Sequence, residues 1–312
     1  MTVAALEGSE YVVGVPEPVG DLRGLIRRFV MRANGSKVVS GFDFPIGIPV
    51  AYAARAGIQE FFNTLPDFGA GIWTEFYDLA VTLAEISLHR PFYPFRPGGT
   101  EQAHLVRGLG LKSFDQLRRR CERARPDRNA ACPLFWTLGA NQVGRGAIIG
   151  WREVLVPAMG DEGIRVGLWP FQGNLQPLID EYACVVVETY PAEACLHLGL
   201  TPPGRGWKKG SQKDRKEQAS PILEWVEGRP LRLLHDAEAQ LRDGFGPRTA
   251  GEDCFDSMIG LLSMIEVIIG GRADGAPEDE VIRKVEGWIL GQEARLPGPR
   301  KARFETSIRR SL

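Results

Sequence analysis

The sequence predicts an α/β fold, a sheet flanked by helices with a large, mainly helical insertion. Residues 37–43 (KVVSGFD) predict one strand. Residues 182–189 (YACVVVET) predict a second, whose continuous β-branched run is typical of burial on both faces. A segment with apolar residues at helical spacing precedes the first of these runs. The long stretch between the runs, residues 51–178, is mostly helical in pattern with proline-rich loops. Strand, helix and strand in quick succession are typical of an α/β sheet.

The first fifty residues supply the start of this sheet. Residues 2–6 and 10–15 predict a β-hairpin around Gly8-Ser9. Asp21 is the predicted N-cap of the first helix. The strand at residues 37–43 leaves through a rigid Pro/Gly turn.

The C-terminal part is predicted to be mostly helical. After a short helix that follows Tyr190-Pro191 comes a Pro/Gly loop at residues 201–210. Further helices are predicted at residues 211–226, 231–241, 252–269 and 277–290. The basic tail from Arg295 is expected to pack loosely. We therefore divide the chain into three parts, namely the first part of the core (residues 1–50), the insertion (51–178) and the remainder of the core with its C-terminal helices (179–312).

Composition excludes several classes of protein. Of the 312 residues 44% are hydrophobic and 25% charged, which argues against disorder. Apolar runs end before about 18 residues, so we expect no membrane partner. The N-terminus has no basic region, which argues against a signal peptide. The net charge of −1 excludes a globally basic coat protein but not a local basic groove. Five widely spaced cysteines predict reduced thiols in the cytoplasm and argue against structural zinc.

Four acidic residues lie where strands end or a helix begins. Asp43 and Glu188 follow the two predicted buried strands, and Asp253 and Asp256 open an apolar helix. Ligands bind at the carboxyl ends of strands in open α/β sheets, and residues three apart on a helix share a face. Clustered carboxylates repel unless a cation lies between them, and oxygen ligands suit Mg²⁺ or Mn²⁺. Asp43, Glu188 and Asp256 are therefore the predicted metal ligands, and all four acids are the predicted catalytic residues.

A structural interpretation competes with this one. An acidic residue at a helix start is often a cap or a partner of the helix dipole, which applies to Asp253. A carboxylate that closes a buried strand must be solvated, paired or ligated.

A basic loop follows the second acidic strand. Lys208, Lys209 and Arg215 are predicted to border the acidic site and to hold substrate phosphate. Trp207 lies among these cations, where an aromatic ring can stack on a base. The alternative is a solvated loop and helix face without a partner.

Several segments together resemble the domain-of-unknown-function 429 family. They are VVSGFDFPIGIP (38–49), FWTLGANQVGRGAIIGW (135–151), VVVETYPA (185–192), KKGSQKDR (208–215), EDCFDSMIGLL (252–262) and GWILGQ (287–292). The resemblance covers most of the chain from about Lys37 onward. It implies a predicted nuclease with an RNase H-like mixed sheet, with Asp43, Glu188, Asp253 and Asp256 as its acidic residues.

The resemblance fails at the first strand. Members of that family begin with a strand carrying Gly-x-Asp, the first metal ligand, whereas this chain opens with MTVAALE. Either the native start lies upstream, or Glu7 replaces the ligand, or the site has been lost.

Three functions follow from these patterns. The first is a metal-dependent nuclease-like hydrolase of phosphodiesters, with nucleic acid or a nucleotide as substrate. The second is a non-catalytic module on the same fold that binds nucleic acid or a nucleotide. The third, a phosphotransferase of the related actin-like fold, ranks last because it would need a glycine-rich phosphate loop near the first strand.

Overall fold

Helices flank two small sheets in this mixed α/β protein. The computed structural model describes residues 1–139, 142–247 and 250–294. The predicted α/β class is confirmed, whereas the basic tail from Arg295 lies outside the described residues.

Six strands lie in the described ranges. They are β1 (Ala4–Glu7), β2 (Glu10–Val13), β3 (Val38–Phe42), β4 (Val166–Leu168), β5 (Cys184–Glu188) and β6 (Leu231–Leu233). One sheet has the order β1-β2-β6, and the other has the order β3-β5-β4.

The helices of the described part are short apart from one near the C-terminus. They are α1 (Leu25–Arg32), α2 (Val50–Ala56), α3 (Phe61–Thr64), α4 (Gln102–Gly108), α5 (Val143–Ile149), α6 (Val156–Met159), α7 (Leu175–Glu181), α8 (Pro191–His197), α9 (Gln212–Glu217), α10 (Ala219–Val226), α11 (His235–Arg242), α12 (Ala250–Ile268) and α13 (Glu280–Val285). A π-helical segment, Gly150–Leu155, joins α5 to α6. No helix in the described ranges is both long and apolar enough to cross a bilayer.

The sheet β3-β5-β4 is parallel throughout and positions the site. Phe42 at the end of β3 pairs with Glu188 at the end of β5, so the two strands end together. Every residue of β5 is buried, as its continuous apolar pattern predicts. The strand β4 lies within residues 51–178, which were predicted to be mainly helical, and it pairs with β5. The segment between β3 and β5 therefore contributes an edge strand to the sheet.

The other sheet differs from the sequence prediction at one strand. The hairpin β1-β2 forms as predicted, and β6 adds to it in parallel. A helix was predicted over residues 231–241, but α11 begins only at His235. Pairing with β2 buries Leu231, and such a contact is invisible to a local pattern.

Three helix boundaries also move. α1 begins after Gly24 rather than at Asp21, whose Oδ1 accepts the backbone N–H of Arg23. The helix predicted at 211–226 divides into α9 and α10. The last helix ends at Val285 because Ile289, farther along, forms a bridge with Glu188 in the sheet.

Packed side chains cover the parallel sheet on both faces. On one face an aromatic core around Trp151, Phe76 and Phe92 reaches the strands through Cys184 and Val186. A second core, on the other face, joins Val185 and Val187 of β5 to Met264 of α12. A Cβ added at Gly41 of β3 would lie 2.2 Å from the Met264 sulfur, so α12 approaches β3 closely.

The turn after β3 depends on Gly47. Its φ is +129°, and a Cβ there would lie 2.2 Å from the carbonyl oxygen of Glu286. We expect Gly47→Ala to lower the free energy of unfolding by more than about 2 kcal/mol, measured by urea denaturation, because strain and overlap add. Gly57→Ala is the matched control, since Gly57 has φ +74° but open space around its Cα. Gly57→Ala should lower the free energy of unfolding by about 1 kcal/mol. Equal losses in the two variants would contradict the close packing around Gly47.

Candidate functional site

Strand alternation places Asp43 and Glu188 on opposite faces of the sheet. Phe42 and Glu188 are paired residues of parallel strands, so their side chains share one face. Asp43 is the next residue and points to the other face, where Met264 of α12 packs. Asp43 therefore faces α12, whereas Glu188 faces the insertion.

Glu188 is engaged in a buried ion pair. Its carboxylate is bound bidentately by Arg119, with Nη2–Oε1 at 2.6 Å and Nη1–Oε2 at 2.7 Å. The backbone N–H of Ile46 also donates to Oε2 at 2.6 Å. Since both oxygens are taken, the structure gives Glu188 a structural role in place of the predicted metal-binding and catalytic one.

Arg119 connects three distant segments at this point. Its Nε donates to Glu122 at 3.0 Å, and its Nη1 donates to the carbonyls of Ile46 at 3.1 Å and Glu286 at 3.0 Å. The side chain is fully buried. The sequence analysis did not single out Arg119, because nothing local distinguishes it from its neighbours Arg118 and Arg120.

The face toward α12 carries a second charged cluster. Lys209 Nζ donates a hydrogen bond to Asp256 Oδ2 and lies 3.6 Å from Glu252 Oε1. The other oxygen of Asp256, Oδ1, is buried and has no hydrogen-bond partner in the described part of the chain. Asp253 is exposed and adds negative charge nearby rather than a contact.

Asp43 belongs to this cluster through its charge, which acts on Lys209 and Asp256 without a direct contact in the described residues. Its side chain is open to solvent and has neither an ion pair nor a hydrogen bond among the described residues. The surrounding protein displaces part of its water and, together with the negative charge of Asp256, raises the pKa of Asp43 to about 7. Burial likewise raises the pKa of Asp256 to about 6, against the opposing charge of Lys209. Burial disfavours the Lys209 ammonium, but Asp256 outweighs it and raises the pKa of Lys209.

Tyr190 is a member of the site that the sequence analysis missed. It lies two residues beyond β5, and the charges of Asp43 and Lys209 both act on its hydroxyl. Burial raises the pKa of Tyr190, so its O–H remains a donor at neutral pH. Arg128 packs over its ring at 5.1 Å. Its place after the carboxyl end of a parallel strand was the available signal.

The basic loop is only partly at the site. Lys209 belongs to the cluster, and Lys208 beside it is exposed. Arg215 is buried and donates to the carbonyls of Gly244 at 2.9 Å, Gly246 at 2.7 Å and Lys209. In this structure the donors of Arg215 therefore fix the loop backbone and do not border the acidic cluster, as had been predicted.

Two further expectations are corrected by the structure. Trp207 is buried against Phe255, and its Nε1 donates to the carbonyl of Thr201 at 2.7 Å, so its ring is not free to stack on a base. Glu7 lies on β1 of the other sheet and pairs with Arg232 at 3.1 Å, so it does not replace a ligand of this site.

The remaining donors fit a cation bound through two carboxylates. No group of three or more His, Cys, Asp or Glu side chains in the described ranges is arranged to hold a metal ion. Among the described residues, Asp43 has no hydrogen-bond or ion-pair partner and Asp256 has one orphaned oxygen. Mg²⁺ is commonly held by one or two carboxylates, with water and substrate phosphate completing its shell. The donor chemistry of this pair, carboxylate oxygen alone, is the kind that Mg²⁺ and Mn²⁺ prefer.

Removing Arg119 tests the structural role of Glu188. We expect Arg119→Met to lower the free energy of unfolding by about 3–5 kcal/mol, because a buried carboxylate loses its partner. Arg120→Met is the matched control, since Arg120 is half exposed and its pair with Asp279 should contribute less than about 1 kcal/mol. Urea denaturation measures both. A loss in Arg119→Met no larger than in the control would contradict this role.

The raised pKa of Asp43 predicts a pH-dependent effect on stability. The folded-state pKa of about 7 exceeds the unfolded value of about 3.9, so the stability contribution of the group falls as pH rises between them. The neutral variant Asp43→Asn should therefore gain stability relative to wild type from about pH 5 to about pH 8. Thermal unfolding at several pH values measures this gain. Asp67→Asn, at an exposed position, is the control, and a gain independent of pH would contradict the raised pKa.

Comparison with known proteins assigns no family to this chain. No protein-family model, curated protein or solved structure matches the chain. The resemblance carried by the short motifs therefore remains an expectation. Function has to be argued from the site itself, since a fold hosts many functions.

Proposed function

We propose that this chain is a nuclease-like hydrolase of phosphodiesters that uses Mg²⁺ or Mn²⁺. The observation that carries the proposal is the pair Asp43 and Asp256 at the carboxyl edge of a parallel sheet. Within the described ranges, the first has no hydrogen-bond or ion-pair partner, and the second keeps one buried oxygen without a partner. Perturbed carboxylates at such an edge are typical of a functional site.

The side chains around this pair suit a phosphate substrate. Lys208 and Lys209 bring positive charge to an otherwise acidic edge, where it can attract a phosphate. The hydroxyl of Tyr190 is a neutral donor for a phosphate oxygen. A divalent ion bound by Asp43 and Asp256 would activate water and stabilise the leaving oxygen.

An RNase H-like core is the architecture that we infer for this function. The parallel neighbours β3 and β5 and the acidic start of α12 against them support it. Residues 51–178 would be the helical insertion, with β4 joining the sheet. We also infer a cytoplasmic location, since the five cysteines are free thiols.

A second candidate is a non-catalytic module that binds nucleic acid or a nucleotide. The observation that favours it is charge neutralisation, because Arg119 pairs with Glu188 and Lys209 pairs with Asp256. Asp43 and Asp253, both exposed, are then the cluster carboxylates without a direct partner in the described residues. Such a site would bind phosphate through Lys208 and Tyr190 without cleaving it.

A cleavage assay distinguishes the two candidates. We expect wild type to cut fluorescein-labelled single-stranded RNA or DNA with Mn²⁺ and not with EDTA. Asp43→Asn and Asp256→Asn should each lower the rate by about 1000-fold, because a metal ion contributes several kcal/mol to such a step. Asp67→Asn should cut at the wild-type rate.

The same oligonucleotides report on the alternative. Binding without cleavage, with a salt slope that falls by about 0.7 in Lys208→Ala, would favour the binding module. Cleavage that persists in both Asp43→Asn and Asp256→Asn would overturn the proposed site.

A further inference from the structure

Lys209 is the cation beside Asp43 and Asp256 in this structure. Its ammonium binds Asp256 Oδ2, and its charge acts directly on Asp43. The two members of this ion pair are partly buried, with side-chain exposures of 25% for Lys209 and 14% for Asp256. An ion pair shielded to this degree is stronger than one on the open surface.

The backbone holds Lys209 at this position. Arg215 is buried, and one of its guanidinium nitrogens donates to the Lys209 carbonyl. Its other donors bind the carbonyls of Gly244 and Gly246, so the loop is tied to the segment after α11. The main chain of Lys209 is thus fixed, while its long side chain retains the rotatable bonds needed to leave Asp256.

One ammonium does not balance the charge around it. The charges of Asp43, Glu252 and Asp256 act on Lys209, and Asp253 adds its charge to Asp43 and Asp256. Among the described residues Lys209 contacts two of these four carboxylates, Glu252 and Asp256, and the buried Oδ1 of Asp256 has no hydrogen-bond partner. A divalent cation would relieve more of this repulsion than a single ammonium does, but both cannot bind Asp256 at full strength.

We propose that Lys209 is a built-in counter-ion that competes with the divalent metal for Asp256. The inference rests on the proposed metal site. While Lys209 pairs with Asp256, the two carboxylates bind a metal weakly. When its ammonium turns to another anion, such as a substrate phosphate, the pair becomes available to the metal. Metal loading and substrate binding then favour each other.

Binding of Mn²⁺ alone tests the competition without any assay of activity. Free Mn²⁺ is measured by electron paramagnetic resonance in titrations of wild type, Lys209→Met and Lys213→Met. Methionine keeps most of the apolar stem and removes the charge. We expect Lys209→Met to bind Mn²⁺ at least about tenfold more tightly than wild type, because a positive charge leaves the site. Lys213→Met is the matched control and should bind as wild type does, because Lys213 is exposed and lies beside Glu217 rather than beside the cluster.

Further variants distinguish a failure of the proposed competition from a failure of the proposed metal site. Asp43→Asn in the Lys209→Met background should abolish the gain, and Lys209→Gln should reproduce it if methionine disturbs the loop. Equal affinity in wild type, Lys209→Met and Lys209→Gln would overturn the competition and leave the metal site standing. Absence of Mn²⁺ binding in every variant would overturn the metal site, and the proposed metal-dependent hydrolase with it.

Discussion

The buried guanidinium of Arg119 is the contact on which the rest of the sheet edge depends. It binds Glu188 bidentately at the end of β5 and donates to the carbonyls of Ile46 and Glu286. The insertion, the turn after Asp43 and the C-terminal segment therefore meet at one side chain. Such a pair adds little net stability, because desolvation offsets its Coulomb energy. The main effect of the pair is on geometry, because each N–H of the planar guanidinium donates in one fixed direction.

This geometry determines which face of the sheet can carry a site. Side chains alternate along a strand, so the ion pair at Glu188 uses the face toward the insertion. Asp43, one residue beyond β3, is left on the face toward α12. The close approach of α12 at Gly41 brings Asp256 to the same edge. The site is therefore one-sided, with neutralised charge in the dry interior and excess negative charge at the solvent edge.

Local patterns predicted the parts of this arrangement that depend on neighbouring residues. The strands β3 and β5 and the long helix α12 follow from β-branched runs and apolar periodicity. The same patterns could not show that Arg119, 69 residues before Glu188, would be its partner. They also could not distinguish Arg215, buried beneath its loop, from exposed cations beside it. Charge pairing over such distances is decided by tertiary packing, which a periodicity does not encode.

The other buried acids show why the cluster beside α12 is not ordinary packing. Glu193 has both oxygens bound by Arg125, and Glu286 accepts two backbone N–H groups. Glu188 is satisfied in the same way by Arg119. These three interior carboxylates are fully paired, as buried charges require. Asp256 departs from that rule, because its buried Oδ1 has no hydrogen-bond partner among the described residues. It lies beside the solvent-exposed Asp43 at the edge where parallel strands end, and an orphaned oxygen retained there is more readily explained by a ligand than by stability.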